Sequence, residues 1–415
     1  MNRLRGHFLA AFITISPIIY PLYNMETRNW QEKFFQCAAI ILVSMFIGNF
    51  WIMAFIIWNV FLFLYHGGVV GAGQVFNIFL ASLIFMVSRW YFKKNDIKEF
   101  FPYIIFVGLV SMSFMVLQLF GQDPINVLQR ADGIRIHEIT VRQPVGLFNI
   151  QMASGIYLTL VYCIMTFTNF YLPLVLIVPI MLSQSSAVFM SFASVLTFLS
   201  YFYNRKLFIA LLIATPIAIG AYLVYDFQKD QSTFRSRGPF FKQIVKQSFS
   251  YPLGYGPGSF AAFHKHKNFN FAADYDYVPG FIIKNGQNLS FQYAEVKDKD
   301  KAMPIEESDG NKFLTIATWR EAHNEILQQF FEYGFVGLFL MFGFMREIIM
   351  RFRAVTLGKP IEAIDKELIT VFSCFIVYFV SSLTQFPLHL ARLGYLFPIL
   401  LGYFYARTDY AFSDT

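Results

Sequence analysis

Apolar runs long enough to cross a bilayer recur along almost the whole chain, each closed by a short polar break. Read between those breaks, the sequence predicts about twelve membrane-spanning helices. They fall near Phe8–Tyr23, Phe34–Ile47, Phe50–Tyr65, Val75–Tyr91, Phe100–Phe120, Val145–Thr166, Phe170–Leu182, Ala187–Tyr203 and Leu207–Tyr225. Ile326–Met345, Leu368–Phe386 and Leu388–Tyr405 complete the set. Pro173 and Pro179 interrupt the seventh, and Gly48 and Pro387 mark very tight turns between neighbours. The expected fold class is an all-α polytopic membrane protein with one large loop between the ninth and tenth helices. Residues 1–225 hold the first nine helices, 226–322 the loop and 323–415 the last three.

Composition agrees: 56% of the 415 residues are hydrophobic and only 14% charged, against about 25% charged in globular chains. Lys and Arg set the orientation. Arg3 and Arg5 precede the first run, and Arg89, Lys93, Lys94 and Lys98 follow the fourth. Arg205 and Lys206 follow the eighth, and Arg346, Arg351, Arg353, Lys359 and Lys366 follow the tenth. With twelve spans all of these share one side, so both termini are expected in the cytoplasm and the long loop outside. The first apolar run lacks a small-residue cleavage site and reads as an anchor. The net charge of +7 follows from this loop bias and gives no reason to expect nucleic-acid binding. Cys37, Cys163 and Cys374 fall inside apolar runs and read as packed thiols, not metal ligands. No dinucleotide fingerprint, P-loop or paired Cys motif occurs, so soluble nucleotide chemistry is unsupported.

The polar chemistry gathers in a few places. The loop before the sixth run ends in RQPVGLFNIQMASGIYL, with Arg142 just ahead of Pro144 and Gly146. Arg142 reads either as an interfacial arginine snorkelling to headgroups or as an anion contact, since its planar fork binds two phosphate oxygens. The long loop opens with DQSTFRSRGPFFKQIVKQSF, whose Phe240, Phe241, Ile244, Val245 and Phe249 recur at helical spacing. That pattern predicts an amphipathic helix on the outer membrane face, with Arg235 and Arg237 near its N-terminal dipole. YPLGYGPGSF follows, with Gly254, Gly256 and Gly258 interleaved with proline; a tight turn is the plain reading. His264–Leu314 is polar and aromatic, suited to sugar hydroxyls and equally to any solvated loop.

The most informative segment is WREAHNEILQQFFEYGFVG, Trp319–Gly337, leading directly into an apolar span. Ionisable groups at such a boundary are costly and mark function. Placed on one helix, His323, Ile326, Leu327, Phe330, Gly334 and Gly337 share a face. Glu321, Asn324, Glu325, Gln328 and Glu332 share the other. The two glycines leave room for another helix. Glu332, roughly 13 Å below His323, needs a partner or a wet cavity. His323 alone reads as solvated or structural, or as a group that handles a proton at the membrane surface.

HNEILQQFFEYGFVGLFL resembles the signature of the O-antigen ligase and O-antigen polymerase superfamily of bacterial membrane glycosyltransferases. The pattern is His-Asn, Leu-Gln, then Glu-x-Gly-x-x-Gly, carried here by His323, Asn324, Leu327, Gln328, Glu332, Gly334 and Gly337. The arginine-led helix with its Pro-x-Gly-x-Gly-x-Gly-x-Phe, and the Arg-x-x-Gly-x-Phe-Asn ahead of the sixth run, resemble two further elements in the family's order. The sequence departs where Ser186 stands in place of an arginine and Gln151 in place of a second asparagine. The resemblance implies a metal-independent glycosyltransferase of the bacterial inner membrane. Its donor would be an undecaprenyl-pyrophosphate-linked glycan and its acceptor a hydroxyl of lipid A-core or another glycan. A repeat-unit polymerase and a protein O-oligosaccharyltransferase are the enzyme alternatives, and a transporter the alternative outside enzymes. The implied roles give His323 the acceptor proton, give Arg142, Arg237, Arg320 and Arg235 the pyrophosphate, and leave Asn324, Gln328 and Glu332 to support the site.

Overall fold

The computed structural model describes residues 37–38, 40–42, 44–66, 69–120, 122, 146–148, 151–183, 185–228, 233–260, 277–284, 287–295, 307–308, 311–315, 324–385, 387–388 and 391–413. The first expected span lies outside these residues. Helices α1 (Phe50–His66), α2 (Val69–Phe92), α3 (Phe101–Leu119), α4 (Gln151–Thr166) and α5 (Ile177–Leu182) follow the expected runs. So do α6 (Ser186–Tyr203), α7 (Arg205–Gln228), α8 (Thr233–Ser250), α9 (Glu325–Thr356), α10 (Lys366–Ser382), the short α11 (Ala391–Gly394) and α12 (Leu396–Ser413). Four described segments are long and apolar enough to cross a membrane: Gln74–Phe92, Ile97–Leu119, Ser186–Tyr203 and Glu325–Thr356. Phe50–His66, Met152–Thr166 and Leu172–Leu182 are shorter apolar helices. The protein is a helical membrane protein.

Two runs differ from expectation for identifiable reasons. The seventh divides into a 3-10 turn over Leu172–Leu176 and the six-residue α5, because Pro173 and Pro179 each lack an N–H. The last run starts its long helix at Leu396 and continues to Ser413. The all-α expectation holds for the bundle, but the long connecting segment carries a four-stranded antiparallel sheet in the order β2-β1-β4-β3. Its strands are β1 (Tyr277–Lys284), β2 (Gln287–Glu295), β3 (Glu307–Ser308) and β4 (Asn311–Thr315). Lys284 pairs with Gln287, leaving Asn285-Gly286 between them, and Ser308 pairs with Asn311, leaving Asp309-Gly310. Asn-Gly and Asp-Gly are the strongest two-residue hairpin signals in a sequence. Pro279 lies on β1 just outside its pairing with β4, which begins at Gly280, so its missing N–H costs that ladder nothing.

The bundle core is dense and aromatic. Tyr162, Tyr378, Tyr403, Phe375 and Phe404 are all fully buried. Helix α2 lies close against α12 because Gly402 has no side chain: a Cβ there would come within 2.4 Å of Ser88 Cβ and 2.6 Å of the Arg89 nitrogen. The outside is apolar as well, with Tyr103, Phe106, Ile213, Ile217 and Phe339 each more than 60% exposed. Chains that fold in water do not show aliphatic and aromatic surface on this scale.

One end of the bundle is clamped by charge. Asp409 of α12 accepts from Arg89 of α2 at 2.9 Å and from Arg351 of α9 at 3.1 Å. Arg351 also donates to Glu347 at 2.7 Å and lies over the Tyr405 ring at 4.1 Å. Asn49 closes the network on Glu347 and the Tyr405 hydroxyl, both at 3.1 Å. Positively charged residues that the sequence assigns to different loops are thus gathered at one end of the molecule. Removing one member of such a buried pair leaves an uncompensated charge. Arg351→Ala is therefore expected to lower stability by about 3 kcal/mol, seen as an earlier thermal transition of the detergent-solubilised protein. Arg353→Ala, two residues further along α9 and exposed, serves as the comparison.

Candidate functional site

Helix α9 is broken. Gly334 sits at φ 64°, ψ −159° inside Glu325–Thr356, a conformation that only glycine adopts without strain. In an unbroken helix the Phe335 N–H would bond to Phe331; here it donates to the Pro252 carbonyl at 2.9 Å. The freed carbonyls find partners on the same turn. Phe331 O accepts from Tyr255 N at 3.0 Å and Glu332 O from Gly256 N at 2.9 Å. Tyr333 O accepts from the indole Nε1 of Trp58 on α1 at 2.9 Å. The glycine-rich turn after α8 is therefore locked, backbone to backbone, into the gap in α9.

The lock works only because neither chain carries a side chain at the crossing. A Cβ on Gly334 would stand 2.2 Å from Pro252 O, and one on Gly254, at φ 91°, would stand 2.5 Å from Glu332 O. The reading of Gly334 and Gly337 as room for a neighbouring helix is thus corrected. Gly334 admits a turn, and a Cβ on Gly337 would collide with the Tyr333 Cβ of its own helix at 2.2 Å. His66, the last residue of α1, donates from Nε2 to the Gly254 carbonyl at 3.0 Å and holds the turn from the other side.

Side chains finish the junction. Glu332 is 1% exposed. Its Oε2 accepts from Gly258 N at 3.1 Å and its Oε1 from Gln328 Nε2 at 3.3 Å. The partner that a deep carboxylate demands is thus the backbone of the glycine turn plus an amide one helical turn away. Phe331 stacks on Tyr255 at 4.5 Å and meets Phe260 edge-on at 5.3 Å. Ile244 joins them, which seats the C-terminal half of α8 on α9. Burial pushes the Tyr255 hydroxyl up to about 12, so it remains protonated near neutral pH and has no use as a base.

Asn324 is extended, at φ −159°, ψ 112°, so the single helix expected across Trp319–Gly337 does not run through it. It is the N-cap of α9, accepting from Leu327 N at 2.9 Å. Its amide donates to Leu383 O at 2.7 Å, and Glu325 N donates to Gln385 O at 3.1 Å. The start of α9 is thereby tied to the end of α10.

Among the residues singled out from sequence, Asn324, Gln328 and Glu332 meet at this junction. His323, Arg142 and Arg320 lie outside the described residues. Arg235 and Arg237 belong to the first two turns of α8, and their side chains are outside the description. The segment after Arg142 is anchored: the Gln118 amide of α3 donates to Gly146 O at 3.2 Å, and its oxygen accepts from Gly146 N at 2.9 Å. Phe148 packs on Tyr157 at 4.7 Å. Sequence reasoning missed Trp58 and His66, which carry no spacing signal. Among the described residues no cluster of His, Cys, Asp and Glu is arranged to hold a metal ion.

Scans against models of protein families and against curated proteins find no match to this chain.

The junction makes a sharp demand on one residue. Gly358 also has a positive φ, 75°, but open space around it, so Gly358→Ala should cost about 1–2 kcal/mol of conformational strain alone. Gly334→Ala meets the same kind of strain and a backbone clash. It is expected to lower the thermal transition in detergent much further and to separate the turn from α9. Equal losses in the two variants would contradict the interlock.

Proposed function

We propose that the protein is a membrane glycan ligase. It would transfer a polysaccharide from an undecaprenyl-pyrophosphate carrier to a hydroxyl of a lipid A-core type acceptor. The observation that carries this reading is the interlock of two sequence elements lying far apart in the chain. The glycine turn that follows the arginine-led helix α8 is seated in the break of the helix that follows His323-Asn324. These are the elements that resemble the ligase and polymerase superfamily, and their seating brings the ends of α8 and α9 into one place.

In this reading the twelve-span topology puts the junction on the periplasmic face, with both termini cytoplasmic. The acceptor oxygen attacks the anomeric carbon of the carrier-linked sugar, and the bond from that carbon to the pyrophosphate oxygen breaks. The carrier leaves as undecaprenyl pyrophosphate, while His323 takes the hydroxyl proton, a task suited to imidazole near neutral pH. Negative charge growing on the pyrophosphate needs fixed cations, supplied by Arg237 and Arg235 on the opening turns of α8, by Arg142 and by Arg320. Asn324, by capping α9, and Glu332, by holding Gly258, keep the two halves in register. No metal or nucleotide takes part.

A strain lacking the protein and complemented with the native chain should regain surface polysaccharide, and the His323→Ala chain should not, with the glycan left as long chains on the carrier. Full restoration by His323→Ala would remove the catalytic role. Accumulation of single repeat units in place of long chains would identify a polymerase.

A further inference from the structure

Helix α8 has two faces in different surroundings. Phe241, Ile244 and Ser248 share one of them. Ile244 and Ser248 are fully buried, and Ile244 packs with Phe241 against Phe331 of α9 and Phe260. At 100° per residue the opposite side carries Lys242, Lys246 and Phe249, within about 60° of one another. All three are exposed. The helix holds four basic residues, Arg235, Arg237, Lys242 and Lys246, and no acidic one. Among the described residues neither lysine has an ion pair.

Phe249 joins this charged stripe to an apolar one. Its ring meets Phe330 at 5.5 Å and Phe335 at 5.6 Å, both edge-on, yet it is 62% exposed. Phe335, Phe339 and Phe342 stand four and three residues apart on α9, so they share one face, and all three are exposed. They cover about 10 Å of Glu325–Thr356, a segment long and apolar enough to cross a membrane. Exposed rings on such a segment meet acyl chains, since no water is present there. Leu253, in the turn after α8, is exposed as well. Lys246 and Lys242 lie one and two turns back from Phe249, roughly 5 and 10 Å along α8. A lysine keeps its ammonium among headgroups while its stem covers apolar surface. Cations followed by a row of rings match an amphiphile with an anionic head. The row is open and turned to lipid, which suits a component of the bilayer itself and not a substrate entering a pocket.

We infer that this surface binds an anionic phospholipid of the surrounding bilayer, with its phosphate between Lys242 and Lys246 and one acyl chain along Phe249, Phe335 and Phe339. Charge complementarity selects the head, because a zwitterionic lipid brings a cation that the two lysines repel. The bound lipid covers the outer face of the helix whose inner face is seated on α9. The claim draws nothing from the transferase reading.

The test uses the full-length protein in phosphatidylcholine nanodiscs holding a trace of phosphatidylglycerol with a diazirine in one acyl chain. The probe is expected to label the peptides holding Phe249–Leu253 and Phe335–Phe342. Unlabelled phosphatidylglycerol should compete, and added salt should weaken labelling. Lys242→Gln and Lys246→Gln should each weaken it about fivefold, and together about twenty-five-fold. The Lys242→Arg and Lys246→Arg pair should retain it, which separates charge from folding. Lys359→Gln, exposed beyond the other end of α9, should change nothing. Labelling that the paired glutamines leave unchanged would overturn the proposal, as would phosphatidylcholine competing as well as phosphatidylglycerol. Displacement of the probe by undecaprenyl pyrophosphate at lower concentration than by phosphatidylglycerol would overturn it too, by making the surface a carrier site. Labelling is read without any glycan, so failure of the transferase reading leaves it unchanged and the two failures are told apart.

Discussion

A backbone that leaves the helix inside a membrane protein must have every freed N–H and C=O satisfied by the protein itself. Gly334 imposes that demand in the first third of α9, and the surrounding architecture is arranged to meet it. Pro252, Tyr255, Gly256 and the Trp58 indole take up the groups that the break releases. Each unsatisfied group in such a setting costs several kcal/mol, so the turn and the broken helix stand or fall together. Other features follow from the junction: glycines at the crossing, His66 closing the turn, and a buried carboxylate at Glu332 reading the Gly258 N–H.

Two opposite solutions to burying polar groups hold the ends of the same helix. The C-terminal end of α9 enters a network of full charges, in which Arg351 and Arg89 share Asp409. The N-terminal end uses backbone groups, amides and the two carboxylates of Glu325 and Glu332, and is tied to α10 through Asn324 and Glu325. The charged end is a clamp whose charges balance. The other end leaves exposed side chains such as His66 and Asn77 beside buried polar ones.

Much of this was legible in the sequence, because the spans are set by apolar length alone. The run Phe100–Phe120 and the helix Phe101–Leu119 nearly coincide, as do Ala187–Tyr203 and Ser186–Tyr203. The grouping of Glu325, Gln328 and Glu332 on one buried face also followed from helical spacing. What failed was continuity. Periodicity carries an ideal helix straight through Glu-Tyr-Gly, whereas the break depends on a partner some eighty residues earlier in the chain (Pro252 to Phe335). The sheet was missed for a different reason. Its hairpins are announced by Asn285-Gly286 and Asp309-Gly310, and Leu289, Phe291 and Tyr293 alternate with Ser290 and Gln292 along β2, but β1 runs apolar without alternation over Phe281–Ile283, and the polar residues around the strands hide the pattern. Trp58 and His66 could not have been found from spacing, since their roles are set by where α1 ends against the turn.

The proposed activity is transfer of a glycan from a pyrophosphate-linked lipid carrier to an acceptor hydroxyl beside this junction. The most direct measurement is reconstitution of the purified protein in vesicles with carrier-linked polysaccharide and a lipid A-core acceptor, in the presence of a chelator. Glycan should move onto the acceptor with one undecaprenyl pyrophosphate released per chain. A donor that stays intact while the protein remains folded would contradict the account.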